Sequence, residues 1–105
     1  MVHRPNIGKI IQKLLNFIVG KYIIDAVHNR FRVYGDETRL RIAPTAVVNN
    51  AFFNLSSGRI EIEDYVFFGH NVSVLTGTHD YERNELERQT HYPKSGRDIV
   101  IKKGA

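Results

Sequence analysis

In two runs, from Ile42 and again from Ile62, the chain sets a large apolar residue at every sixth place, and that period restricts the fold more than any other feature. Aligned as hexads, the first places are Ile42, Val48, Ile62, Phe68 and Val74; the fifth are Ala46, Phe52, Val66, Val72 and Thr78. The second and third places are mostly small, polar or turn-forming, as in Ala43-Pro44, Asn49-Asn50, Glu63-Asp64 and Gly69-His70. Six is neither the 3.6-residue period of a helix nor the alternation of a plain strand. It suits short strands joined by tight turns and stacked as a solenoid, each pointing one aliphatic side chain inward. The competing arrangement is an antiparallel sheet whose hairpins fall at Gly and Asn; three unbroken hexads from Ile62 argue against it. Asn54 to Ile60, holding Ser56-Ser57-Gly58, breaks the repeat, and a polar loop from Thr78 to Asp98 breaks it again before Ile99-Val-Ile resumes it.

The first third follows a different rule. Ile7, Ile10, Ile11, Leu14, Leu15, Ile18, Val19, Ile23 and Val27 recur at spacings of three and four, which predicts an amphipathic helix. Pro5 and Asn6 are its start signals, and Gly20 is the place where it would divide into two pieces. Its apolar stripe is expected to pack on the rest of the domain or on a partner subunit; the alternative is a helix lying on an anionic membrane surface. Lys9, Lys13, Lys21 and Asp25 interrupt the apolar run, which falls short of the roughly 18 consecutive apolar residues a membrane span needs. No small-residue cleavage site follows it, so it is a poor signal peptide.

Charge divides the chain in the same way. Residues 1–34 carry six Lys or Arg against Asp25 alone, whereas the remainder carries nine basic residues against ten acidic ones. The high isoelectric point therefore belongs to the N-terminal third, where basic residues alternate with Ile and Leu, and nucleic acid is not the expected partner. With no cysteine and no tryptophan, disulfides, thiolate ligands, a cysteine nucleophile and a Trp platform are all excluded. At 105 residues, the chain has length for one modest core.

The run Ile62-Glu-Asp-Tyr-Val-Phe-Phe-Gly-His-Asn-Val-Ser-Val-Leu-Thr-Gly-Thr-His79-Asp, followed by the loop to Asp98, resembles the hexapeptide-repeat acyltransferases. The branch it is most similar to contains the maltose and galactoside O-acetyltransferases and the enzymes that O-acetylate bacterial surface polysaccharides. The resemblance implies a mainly β fold: an incomplete left-handed parallel β-helix over 42–105, with an excursion loop at 78–98, preceded by a helix and connector over 1–41. It also implies acetyl transfer from acetyl-coenzyme A (acetyl-CoA) to a saccharide hydroxyl, a homotrimer with active sites between subunits, and a cytoplasmic location.

Such a transfer needs a base that takes the hydroxyl proton as oxygen attacks the thioester carbonyl. Histidine, with an ordinary pKa of about 6.5, suits that task at neutral pH. The resemblance assigns it to His79, and Asn54, in Phe-Phe-Asn-Leu, matches the family's asparagine that holds the acceptor sugar. A backbone N–H would hold the oxyanion. Tyr81, Glu82 and Arg83 are candidates to line the acceptor cleft, although a solvated charged loop explains them equally well. Of the other histidines, His3 and His28 fall outside the repeat, His70 occupies a turn and His91 the loop. Zinc-dependent γ-class carbonic anhydrases share this fold and offer a second chemistry. Their closely spaced histidine pair is missing here, so no metal is expected.

In the resembling family, several more coils that line the donor cleft follow the point where Ile101-Lys-Lys-Gly-Ala105 ends the sequence. The expectation is an N-terminal piece that keeps the base and part of the acceptor site but little of the donor site. The alternatives are a non-catalytic module that trimerises or one that docks on a membrane.

Overall fold

Asn6 opens the first element by accepting a hydrogen bond from the Lys9 backbone N–H at 3.1 Å, the usual N-cap arrangement. In the computed structural model, which describes residues 6–105, helix α1 runs over Ile7–Ile18. The start signal Pro5, with His3 and Arg4, lies outside the described residues. A π-helical turn, Val19–Ile23, joins α1 to α2, Ile24–Asn29. Gly20 falls in that turn, so the anticipated weak point widens the helix and leaves its two pieces joined.

No residue of this helical segment is buried, and its main contacts are between its own turns. The expected packing of the apolar stripe on the rest of the domain is therefore not found. The helix stands away from the strands, in a molecule 75 × 40 × 21 Å in extent. The body begins just beyond it at Phe31, whose ring meets Phe53 edge-on with centroids 5.9 Å apart.

Six strands of three residues follow: β1 Arg32–Tyr34, β2 Leu40–Ile42, β3 Phe52–Asn54, β4 Ile60–Ile62, β5 Ser73–Leu75 and β6 Ile99–Ile101. They form two parallel three-stranded sheets, ordered β1-β3-β5 and β2-β4-β6. Arg32 is in register with Phe52 and Phe52 with Ser73; Leu40 is in register with Ile60 and Ile60 with Ile99. This corrects the expected mainly β, left-handed β-helix. More residues are helical than extended, and the extended ones make two small sheets beside an exposed helix. A six-residue repeat calls for one strand per hexad, but these strands do not recur every six residues. The hexads between them yield only an isolated parallel bridge, Val47 to Phe67. The sheets also reach back past the boundary drawn at residue 42, because β1 and the start of β2 come from the stretch read as a connector.

Between the sheets lies one core of Val48, Ala51, Phe53, Leu55, Ile60, Ile62, Val66 and Val74. Each side chain of this size that is fully buried contributes roughly 1.5–3 kcal/mol. Hexad first places Val48, Ile62 and Val74 point inward as the period requires, and Ile42 and Phe68 are half-buried against them. The stretch read as a break is itself largely buried, with Leu55 and Ile60 near its ends, and Phe53 just before it is fully buried too.

Turns between strands are held by asparagines. Asn49 and Asn71 adopt positive φ, at 49° and 60°, a conformation asparagine tolerates. Buried Asn50 donates from Nδ2 to Asn71 Oδ1 at 2.8 Å, and its Oδ1 accepts from the Asn71 backbone N–H at 2.7 Å. Asn50→Ala removes both bonds. It is expected to lower stability by about 2 kcal/mol, read as a lower urea midpoint with an unchanged slope.

Candidate functional site

The loop between β5 and β6 crosses from one sheet to the other and is tied at both ends. Near its start the Asp80 backbone N–H donates to His91 O at 3.0 Å, which closes the segment on itself. Helix α3, Glu85–Thr90, lies inside the closed part. Arg88 donates to the carbonyl of Tyr81 at 3.0 Å from the same region. On the return, the Arg97 N–H donates to Ser57 O at 3.1 Å, and Asp98 Oδ1 accepts from the Arg59 N–H at 2.8 Å. Arg39 spans both parts, donating to Leu55 O at 3.2 Å and Lys94 O at 2.9 Å.

Asp80 anchors the loop start. The Glu82 backbone N–H, at 3.1 Å, and the Arg83 side chain, at 3.0 Å, both donate to its carboxylate and hold its pKa below the ordinary 3.8. A carboxyl whose pKa is lowered on folding stabilises the fold fully above its unfolded value and loses that contribution as pH falls through the folded one. Order at Asp80–Arg83 is therefore expected to hold above about pH 4 and fade below the carboxylate range. Hydrogen exchange at the Glu82 amide checks this, and Asp80→Asn should give the same loosening at neutral pH.

These ties bring the two residues chosen from the sequence to one place. Asn54 and His79 line the same cavity of about 420 Å³, together with Tyr34, Ser56, Gly77 and Tyr92. Asn54 ends β3, and its Oδ1 accepts from the Ser56 backbone N–H at 2.9 Å and from the Ser56 hydroxyl at 2.6 Å. The Asn54 carbonyl accepts from the Thr76 N–H at 3.0 Å and from the Thr76 hydroxyl at 2.9 Å. The oxygen of the side-chain amide is thus occupied locally, which leaves Nδ2 to face a ligand; among the described residues it has no protein partner. Gly77 is required here, because a Cβ would come within 2.6 Å of Ser56 Oγ and 3.0 Å of the Asn54 side-chain amide.

His79 is exposed, and among the described residues its imidazole takes no hydrogen bond. On its other side lies a second cavity of about 290 Å³, with His91, Tyr81, Arg83 and Arg97 in its wall. Tyr81 and Arg83 therefore reach the site region. Arg83 is committed to Asp80 at 3.0 Å and Glu87 at 3.6 Å, and Glu82 lines neither cavity. His70 stands on an exposed turn before β5, away from both cavities, and His28 lies in α2. Among the described residues no three His, Cys, Asp or Glu side chains lie close enough to share a metal ion.

Tyr34, Ser56, Gly77 and Tyr92 were not singled out from the sequence. For Tyr34 a signal exists in the register, since Tyr34, Asn54 and Leu75 are successive partners across β1, β3 and β5. Comparison of the chain with protein-family models, with curated proteins and with solved structures finds no match.

Proposed function

We propose that the chain carries an acyl-transfer site in which His79 is the general base and Asn54 holds the acceptor. One observation carries this reading: the Asn54 amide and the His79 imidazole share one cavity, and among the described residues neither Asn54 Nδ2 nor the imidazole has a protein partner. The wall around them is made of amide, hydroxyl and phenol groups, with Ser56, Gln89 and Thr90 beside Tyr34 and Tyr92. That composition suits a polyhydroxylated acceptor, which needs hydrogen-bonding partners together with flat apolar surface. The likeness of the Ile62–His79 run to the sugar O-acetyltransferases supports acetyl-CoA as donor, and with it a homotrimer.

In the proposed step, the His79 imidazole removes the acceptor hydroxyl proton while that oxygen attacks the thioester carbonyl. The C–O bond forms, negative charge passes to the carbonyl oxygen, and a backbone N–H stabilises it. When the C–S bond breaks, the imidazolium returns its proton to the departing thiolate. No covalent enzyme intermediate is required.

The test is thiol release from acetyl-CoA by the 105-residue chain across a panel of mono- and oligosaccharides, with calorimetric titration of coenzyme A alongside. Acceptor-dependent release that requires His79 supports the reading. Release that is independent of acceptor or of His79, or a folded chain that binds no coenzyme A at millimolar concentration and releases no thiol, overturns it.

A further inference from the structure

We propose that the segment from Ile7 to Asn29 is a docking helix for an anionic bilayer, lying in the plane of the headgroups. Its large apolar side chains are uncovered, with Ile7 67%, Leu14 58%, Phe17 57% and Val27 58% exposed. At 100° per residue, Ile7, Ile10, Ile11, Leu14, Leu15, Phe17 and Ile18 share one half of α1, and Lys9, Gln12, Lys13 and Asn16 share the other. An uncovered stripe of this size marks an interaction surface. No helix among the described residues is long and apolar enough to cross a membrane, so the geometry points to a helix that lies on one.

Charge selects the lipid. Lys9, Lys13 and Lys21 lie on the helix, and Arg30 and Arg32 follow it directly. The sole acid in Ile7–Asn29 is Asp25, whose carboxylate accepts a hydrogen bond from Asn29. Lys21 Nζ lies 5.3 Å from the Phe17 ring centroid and 6.0 Å from that of Tyr22. An ammonium flanked by aromatics is suited to the headgroup layer.

A second copy of the helix fits less well. The seam of a coiled coil would run Ile7, Ile11, Leu14, Ile18 and then meet Lys21 and Asp25, inside and beyond the π-helical turn. That is too few apolar heptads for a stable pair. It would also leave Ile10, Leu15 and Phe17 outside the seam, whereas a bilayer boundary takes the whole arc.

Flotation of the full chain with phosphatidylcholine vesicles, with and without phosphatidylglycerol, tests the proposal. Binding is expected to the anionic vesicles and to be lost in 1 M salt, where charges are screened within about 3 Å. One lysine near such a surface is worth about five-fold in partitioning, so the triple variant Lys9→Glu, Lys13→Glu, Lys21→Glu should bind at least about 100-fold more weakly. Leu14→Glu, with every lysine kept, should also abolish binding. Neither variant touches the core, so the denaturation midpoint of the body should not move. Equal binding to neutral vesicles, or no binding at millimolar lipid, overturns the proposal. So does self-association by light scattering that Leu14→Glu abolishes, because the occupant would then be a second copy.

Discussion

Gly58→Ala is expected to destabilise the fold by about 2–4 kcal/mol and to release the end of the loop. Gly58 is buried, and a Cβ there would lie 2.5 Å from Arg97 O, 2.8 Å from Asp98 N, and against the Arg97 carbonyl carbon. All three are backbone atoms, so no side chain can rotate away, and the strand entering β6 has to move. Three hydrogen bonds depend on its position: Arg97 N–H to Ser57 O, Arg59 N–H to Asp98 Oδ1 and Ile99 N–H to Arg59 O. At about 1 kcal/mol each, with partial exposure of Leu55 and Ile60, their loss gives the stated range. For a domain this small the melting temperature should fall by about 10–20 °C. Gly69→Ala is the control, since nothing lies within 4 Å of a Cβ at that position. Equal melting temperatures for the two variants would sink this account of how the loop is held.

The second large effect is catalytic. His79→Ala is expected to lower acceptor-dependent thiol release by about 100- to 10,000-fold, the usual contribution of a positioned base. The same change should leave the denaturation midpoint unmoved, because His79 is exposed and supports no neighbour. Gly77→Ala should behave differently. Its methyl group displaces Ser56 Oγ and the Asn54 amide, so the Michaelis constant for the acceptor should rise about ten-fold or more while turnover at saturation changes less. Unaltered acceptor affinity in Gly77→Ala removes Asn54 from the site; unaltered turnover in His79→Ala removes the base.

Much of the interior was legible before the structure. The hexad spacing, in two runs separated by a break, picks out Val48, Ile62 and Val74 because it reflects burial, and burial is what hydrophobic pattern reports. Phe53, Leu55 and Ile60 escaped because they flank a Ser-Ser-Gly stretch that reads locally as a loop, whereas distant chain covers it from outside. The architecture was misread for a related reason. Hexads describe which side chains turn inward, but which stretches become strands depends on parallel partners far away in sequence. The helix illustrates the converse: its amphipathicity was plain, but a pattern of apolar spacing carries no information about what covers it. At the candidate site, His79 and Asn54 were found through a likeness to known motifs, while Tyr34 and Ser56 depend on register and on the close approach of Gly77.

The two sheets are not equivalent in how they close. Ile60 and Ile99 are about twice as far apart along the chain as Arg32 and Phe52. Doubling a loop adds about 0.6 kcal/mol to its closure entropy, and distant pairings form late. β6 should therefore be the last strand to dock and the first to leave, so that its amides exchange before those of β3 and β4. His79 lies within the span that this closure orders. Gentle heating should thus switch off the proposed transfer through partial unfolding while Phe53 and Ile62 remain packed.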